Sequence, residues 1–333
     1  MVSRGYLNEY LAPLVPWLED DAVSEIAINP DGRIWIEREG QDTLEEGTPS
    51  MPVDATRLAR TIAGAAGLKI SEAHPILSAR TDWKSRQIRV QAVLPPAIDQ
   101  GAALSFRRYR AADRTLRDFP FLAGANAPAM ARIAKRRDAI AKLVRSGNSE
   151  AALRTAVTDR LNVLISGGTS SAKTTLARAM IARISPAERL ITIEDARELH
   201  PRQPNRVELV ADRDEASPRS ATLLLQSALR MRPDRIVVGE LRGREAWTFL
   251  EAINTGHGGS LTTIHAEHPE MALERIAMMV TGAGITMPYG EVLRYVRASI
   301  DLIVQLARIG GRRGIVEIAL PQRSEDHAPQ DLA

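Results

Sequence analysis

Nine consecutive residues carry the strongest chemical signal in this chain: Gly167-Gly168-Thr169-Ser170-Ser171-Ala172-Lys173-Thr174-Thr175. They follow the apolar run Val163-Leu164-Ile165-Ser166 and precede a segment in which Leu176, Met180, Ile181 and Ile184 recur at helical spacing. A strand, a small-residue loop and a helix start, in that order, aim main-chain N–H groups and the positive end of a helix at a phosphate chain. The spacing is that of a G-x-x-x-x-G-K-[ST] phosphate loop, with Ala172 where the second fixed glycine would stand. Lys173 would reach the β- and γ-phosphates of a nucleotide, and the Thr174 hydroxyl would ligate Mg²⁺. The bland alternative is a serine-rich turn with Lys173 in a first helical turn. A side chain at 170 or 172 costs roughly 1–2 kcal/mol if the left-handed region is required there.

Two acidic sites follow in order. Leu190-Ile191-Thr192-Ile193 ends in Glu194 and Asp195, with Glu194 21 residues beyond Lys173. Carboxylates at the tip of a buried strand stand where open α/β sheets bind ligands, or else they cap the next element. Glu240 lies 46 residues further on, after Arg235-Ile236-Val237-Val238-Gly239. A single acid delivered by an apolar strand can polarise a water in line with a γ-phosphate or hold Mg²⁺ through water.

The fourth stretch is Thr255-Gly256-His257-Gly258-Gly259-Ser260-Leu261-Thr262-Thr263-Ile264-His265-Ala266. The spacing of His257, His265 and His268 fits no common zinc motif, and the chain has no cysteine to complete one. A strand that brings His265 to the edge of the phosphate pocket fits better, since imidazole can sense the γ-phosphate by hydrogen bonding. Each histidine can equally be a satisfied buried hydrogen-bonder.

Elements that position these groups are legible from composition and pattern. The 333 residues are more than one compact core usually holds, so two domains are expected. Apolar residues at 44% and charged residues at 26% are ordinary for a globular protein. Absence of cysteine excludes disulfide frameworks and Cys nucleophiles. A net charge of +3, with 4% aromatics, argues against a base-stacking nucleic-acid platform. No run approaches the roughly 18 apolar residues of a membrane span, and the N-terminus lacks a signal-peptide core. A cytoplasmic protein, which can still sit on the inner face of a membrane, is the expectation.

Residues 1–110 read as a mixed α+β unit. A helix is expected over Tyr6–Leu18, a hairpin around Pro30-Asp31-Gly32, a helix over Asp54–Gly67, and strands over Ile88–Leu94 and Ala103–Arg107. Five arginines (Arg107, Arg108, Arg110, Arg114, Arg117) mark 111–118 and its approach as a linker, solvated or anion-contacting. From Phe119 onward short apolar runs alternate with helical periods, the pattern of a parallel sheet with crossover helices. Strands are expected at Asn162–Ser166, Leu190–Ile193, Arg235–Val238 and Ser260–Ile264. Helices are expected over Thr174–Ile184, Ser220–Leu229, Arg244–Ile253 and Pro269–Val280, and a closing hairpin beyond Leu302.

Phosphate loop, Glu-Asp strand, acidic strand and His strand in this order resemble the secretion ATPase superfamily, in which they are the Walker A, Asp, Walker B and His boxes. Ala228-Leu229-Arg230-Met231-Arg232-Pro233-Asp234-Arg235-Ile236-Val237-Val238-Gly239-Glu240 and Thr255–Ala266 are the most specific stretches. Within the superfamily, Leu11-Ala12-Pro13-Leu14, Val23-Ser24-Glu25-Ile26-Ala27-Ile28-Asn29 and Val90-Gln91-Ala92-Val93-Leu94-Pro95-Pro96 are similar to the traffic ATPases of type IV secretion and conjugal transfer. The resemblance runs from about Tyr6 to Leu320.

It implies an α/β fold: a RecA-like P-loop ATPase domain over 119–333, preceded by a smaller α+β N-terminal domain over 1–110. It further implies a hexameric ring that holds ATP and Mg²⁺ between the two domains. Matching positions make Lys173 and Thr174 the triphosphate and Mg²⁺ residues within the loop Gly167 to Thr175, and Glu240 the Walker B acid. Glu194 and Asp195 are the Asp-box acids, and His265 and His257 the His-box residues. Arg107, ahead of Arg108, is the arginine brought to the phosphates. The expected partners are further copies, other secretion or conjugation ATPases and inner-membrane components, with peripheral attachment to the inner membrane and no sequence-specific nucleic acid. Ser170 and Ala172 depart from the family's glycines. They keep open a nucleotide-binding structural or gating ring that turns over slowly or not at all. A RecA-type nucleic-acid translocase rests on fold analogy alone, and an isolated P-loop kinase lacks an acceptor lid.

Overall fold

The computed structural model describes residues 4–84, 86–108, 115–119 and 129–322. Most of the Arg-rich stretch, including Arg110 and Arg114, lies outside the described residues.

The chain opens with α1 (Arg4–Leu11), a 3-10 turn over Ala12–Leu14 and α2 (Val15–Glu19). Pro13 and Pro16 break the single helix expected over 6–18, because each lacks the N–H that a continuous helix needs. Then come β1 (Val23–Ile28), β2 (Ile34–Arg38), β3 (Glu45–Gly47), α3 (Ala55–Ala65), β4 (Ile76–Trp83), β5 (Arg86–Val93) and β6 (Ala103–Arg108). At the β1–β2 turn Gly32 holds φ +84 and donates to the Asn29 carbonyl at 2.9 Å, a conformation that favours glycine. Asp54 starts α3 by accepting from the Arg57 amide at 2.9 Å. The six strands lie in the order β3-β2-β1-β6-β5-β4 with every neighbour antiparallel. The helices cover an apolar core that includes Leu14, Leu18, Ile26, Ile28, Leu58, Ile62 and Phe106.

The rest of the described chain interleaves helices and strands. It runs α4 (Ala129–Arg145), α5 (Ser149–Thr158), β7 (Val163–Gly167), α6 (Lys173–Ile181), β8 (Leu190–Glu194), β9 (Arg206–Val210) and α7 (Ala221–Ala228). It continues with β10 (Arg235–Val238), α8 (Glu245–Asn254), β11 (Leu261–Ile264), α9 (Pro269–Gly282), α10 (Tyr289–Ser299), β12 (Leu302–Ile309) and β13 (Arg312–Ala319). Among the described residues no helix is long and apolar enough to cross a membrane.

Two compact units result, each built from two stretches of chain: 1–109 with 184–258, and 110–183 with 259–333. In the first unit β8 runs parallel to β10 and β9, one on each side. In the second, β7 runs parallel to β11 and β12, and β13 closes the edge antiparallel to β12. Strands β7, β8, β10 and β11 are buried along their whole length, which is why they read as continuous apolar runs.

Buried polar bonds fasten the two stretches of the first unit together. Arg189, with no exposed surface, donates to the Met231 carbonyl at 2.9 Å, Asn29 Oδ1 at 2.7 Å and Asn205 Oδ1 at 2.5 Å. Asn29 Nδ2 donates to Asn205 Oδ1 at 3.1 Å, and Gln91 Nε2 to Ser227 Oγ at 2.7 Å. Arg232 pairs with Glu37 at 2.7 Å.

Candidate functional site

The phosphate loop belongs to the second unit, between β7 and α6. Gly167 ends β7 in a space that admits no side chain, since a Cβ there would lie 2.5 Å from both the Leu306 carbonyl and Ser171 Oγ. Ser170 and Ala172 both take left-handed backbone, at φ +58 and +76. The cost anticipated for side chains at these positions is therefore present, roughly 1–2 kcal/mol each. Ser171 Oγ ties the turn by donating to the Gly168 carbonyl at 2.9 Å. Thr174 is half-buried in the first turn of α6, while Gly168 and Thr169 are exposed ahead of it and Thr175 beyond it.

Lys173 is 8% exposed, and its ammonium is held within the loop. Nζ donates to the Gly167 carbonyl at 2.9 Å and the Gly168 carbonyl at 3.0 Å, and lies 3.3 Å from His265 Nδ1. The carbonyl oxygens stand where the oxygens of a bound anion would compete for the same cation. Parallel pairing explains the histidine's place: Ile264 on β11 is level with Ser166 on β7, so the next residue, His265, emerges beside the loop. Gln305 on β12, also level with Ser166, donates to the Ala266 and Glu267 carbonyls at 3.1 Å each and holds the chain just past His265. No sequence motif pointed to Gln305. His268 is instead a helix cap, its Nδ1 accepting from the Met271 amide at 3.2 Å.

The acids belong to the first unit and share one cavity of about 270 Å³, lined by Glu194, Asp195, Glu240, Arg213, Arg242 and Glu245 among others. Glu194 ends β8, and its Oε1 accepts from the Glu198 and Leu199 amides at 3.0 Å each. Its Oε2 is buried without a hydrogen bond among the described residues. Burial raises the Glu194 carboxyl above its ordinary range, and the two amide bonds offset only part of that. Asp195 shifts the other way. Burial pushes it up, but hydrogen bonding to Arg213 and the charge of Arg242 more than compensate and hold it low. Glu240 stands two residues past β10, with Arg242 Nη2 at 3.0 Å from its Oε2. Gly239 lets β10 approach β8 closely: its amide donates to the Ile193 carbonyl at 2.9 Å, and a Cβ there would press on Glu194 at 3.1 Å. Arg242 therefore bridges Glu240 and Asp195, at 3.0 and 2.8 Å. No sequence motif points to Arg213, and the one sign of Arg242 is its place two residues beyond the acidic strand tip.

His257 is placed apart from the acid cavity, its Nδ1 3.0 Å from the Pro233 carbonyl. Arg107, exposed on β6, lines a different cavity of the first unit. Arg108 faces away and is buried, bonded to the Asp20 carbonyl and, at 3.2 Å, to Asp21 Oδ1. The geometry fits a nucleotide triphosphate at the loop: a buried lysine at a helix start, a cradle that excludes a Cβ, and a hydroxyl at Thr174 suited to Mg²⁺.

A family model described as type II/IV secretion system protein matches residues 8–312. The type IV secretion system protein VirB11 of Brucella suis is 34% identical over 312 residues, 90% of this chain and 85% of its own length. A putative conjugal transfer protein of Mycobacterium tuberculosis is 34% identical over 94% of this chain and 84% of its own. The conjugal transfer protein TrbB of Rhizobium radiobacter is 34% identical over 90% and 84%. The crystal structure of the Brucella suis VirB11 ATPase in complex with sulphate superposes with a TM-score of 0.85 at 32% identity, covering 95% of this chain and 94% of that one.

Proposed function

The chain belongs to the type II/IV secretion system protein family, and from that premise we propose that it is a Mg²⁺-dependent ATP hydrolase, the motor of a type IV secretion or conjugal transfer machine. The observation that carries this reading is the capped loop: Lys173 held by the Gly167 and Gly168 carbonyls with His265 beside it.

Bound Mg-ATP supplies the phosphoanhydride to be cleaved. Lys173 and the amides of residues 167–175 would hold its phosphates, and the Thr174 hydroxyl would ligate Mg²⁺. Glu240 accepts a proton from the attacking water or orients it. Glu194 and Asp195 are the accompanying acids, His265 and His257 read the phosphate state, and Arg107 brings positive charge to the phosphates. The domains of this reading are 1–110, an Arg-rich linker 111–118 and a RecA-like domain 119–333. The working form is a homo-hexamer that meets other secretion ATPases and inner-membrane components at the cytoplasmic face of the membrane.

Phosphate release from Mg-ATP by the purified chain, beside Lys173→Ala and Glu240→Gln, tests the proposal. The wild-type chain should turn over and both variants should not; equal rates in all three overturn it. A second reading, a nucleotide-gated structural ring with slow turnover, is favoured by the left-handed Ala172 and Ser170. If glycine at both positions leaves affinity and turnover unchanged, that reading loses its basis.

A further inference from the structure

Strand β12 is buried from Leu302 to Leu306, and its one polar side chain there is Gln305, only 3% exposed. A buried amide is tolerated when hydrogen bonds replace its water. Here the bonds fall on one side of the group. Nε2 donates to the Ala266 and Glu267 carbonyls at 3.1 Å each, while Oε1 is buried without a hydrogen bond among the described residues. An unsatisfied buried acceptor costs stability, and nothing in the strand itself requires that cost. Departures of this kind from local rules collect at functional sites.

The place of the side chain says what it serves. Strands β12 and β11 flank β7, and one level of the sheet carries Ile264, Ser166 and Gln305 side by side. To reach the chain that leaves β11, the Gln305 amide crosses the end of β7, where the phosphate loop begins. The next residue, Leu306, is level with Gly167, and its carbonyl is one of the groups that leave no room for a Cβ there. Two neighbours on β12 thus touch the two pieces of chain that meet at Lys173. Leu306 meets the loop, and Gln305 meets the segment that carries His265. The pairing of β12 with β13 shifts between these same two residues: Gln305 is level with Glu317 and Leu306 with Ile315, which leaves Val316 as an extra residue. Bulges of this kind twist a strand pair locally and re-aim side chains beside a site.

His265 is constrained in detail. An ammonium can only donate, so the contact with Lys173 requires Nδ1 to accept and the imidazole proton to sit on Nε2. Ile264 is fixed before it by pairing with Ser166, and His268 is fixed after it as the cap of α9. Between them, the two bonds from Gln305 hold the chain at 266 and 267.

We propose that Gln305 is a positioning residue: by holding the Ala266 and Glu267 carbonyls it fixes the His265 imidazole against Lys173 and so governs turnover at the phosphate loop. It acts through His265 and takes no nucleotide contact of its own. The effect on turnover rests on the hydrolytic reading above; the effect on the imidazole does not.

Gln305→Met keeps the length of the side chain and removes both donors. Phosphate release should fall about tenfold or more, while KM for ATP and ADP affinity by calorimetry stay within about threefold. In the His265→Ala background the same substitution should cost less than about twofold, because the ring it acts through is gone. Equal losses in the two backgrounds overturn the proposal, as does unchanged turnover or a loss carried by KM alone. Gln305→Asn, which keeps an amide but is too short to cross β7, should behave as Gln305→Met does. If neither variant folds at the assay temperature, the residue is a structural strut and the proposal falls. Nitrogen NMR of His265 in the nucleotide-free chain, at about pH 8, reads the positioning without hydrolysis. The wild-type spectrum should place the proton on Nε2, and Gln305→Met should give a mixture of the two tautomers. An unchanged spectrum in the variant overturns the proposal. A changed spectrum in a chain whose wild type releases no phosphate supports the positioning and overturns the hydrolytic reading alone.

Discussion

The Lys173 ammonium lies 3.3 Å from Nδ1 of His265, a residue 92 positions away in the sequence. The two meet because β11 and β7 are parallel and in register, and the chain leaves β11 one residue before the histidine. On the proposed function, a histidine in this place orients the lysine that would hold phosphate. His265→Ala should therefore lower turnover by about ten- to a hundredfold, the usual effect of losing an orienting partner, while leaving ADP affinity within about threefold. Steady-state phosphate release and calorimetry separate the two; unchanged turnover would make the contact one of packing only.

Ala172 and Ser170 carry the backbone strain of the loop. Glycine at each position removes a penalty of about 1 kcal/mol. Ala172→Gly and Ser170→Gly should each raise the thermal midpoint by about 2–4 °C, read by circular dichroism without nucleotide.

Glu25 gives a pH dependence with a definite sign. Burial lifts its carboxyl from the ordinary 4.5 to about 7, although Arg107, Ser105 and Arg189 pull it down. The fold prefers the protonated form, so this group's contribution to stability is fully present below about pH 4.5 and is lost as pH rises through 7. Glu25→Gln mimics that form. It should flatten the stability profile between pH 5 and 8 and stabilise the chain at pH 8 by roughly 1–3 kcal/mol, checked by urea unfolding at several pH values.

Arg189 is the buried centre of its polar cluster. Burial lowers its pKa to about 10, which leaves it charged at neutral pH. Arg189→Met would strand the Asn29 and Asn205 side chains and the Met231 carbonyl, and remove the attraction for Glu25. A loss of about 3–5 kcal/mol in urea unfolding is expected, because one partner of a buried charged network has been removed.

What could be read from the sequence follows physical range. The loop, the acidic strand tips and the His265 strand are local signals, and each stands where its own residues placed it. Asp54 as the cap of α3 and the Pro-Asp-Gly hairpin are equally local. Strand β9 was not legible because its burial alternates over only five residues, and α10 because Pro288 and a polar face mask its period. Arg189 was hidden for a different reason. A charged residue before a strand reads as surface, and only the fold brings Asn29 and Asn205 to it.

The buried ties of Arg189, Arg232 and Gln91 have a mechanical consequence. To slide the N-terminal sheet past β8 and β10, those bonds must be broken first, each at a cost of roughly 1 kcal/mol or more. A pull on that sheet is therefore borne by these bonds and reaches the strands whose tips carry Glu194, Asp195 and Glu240.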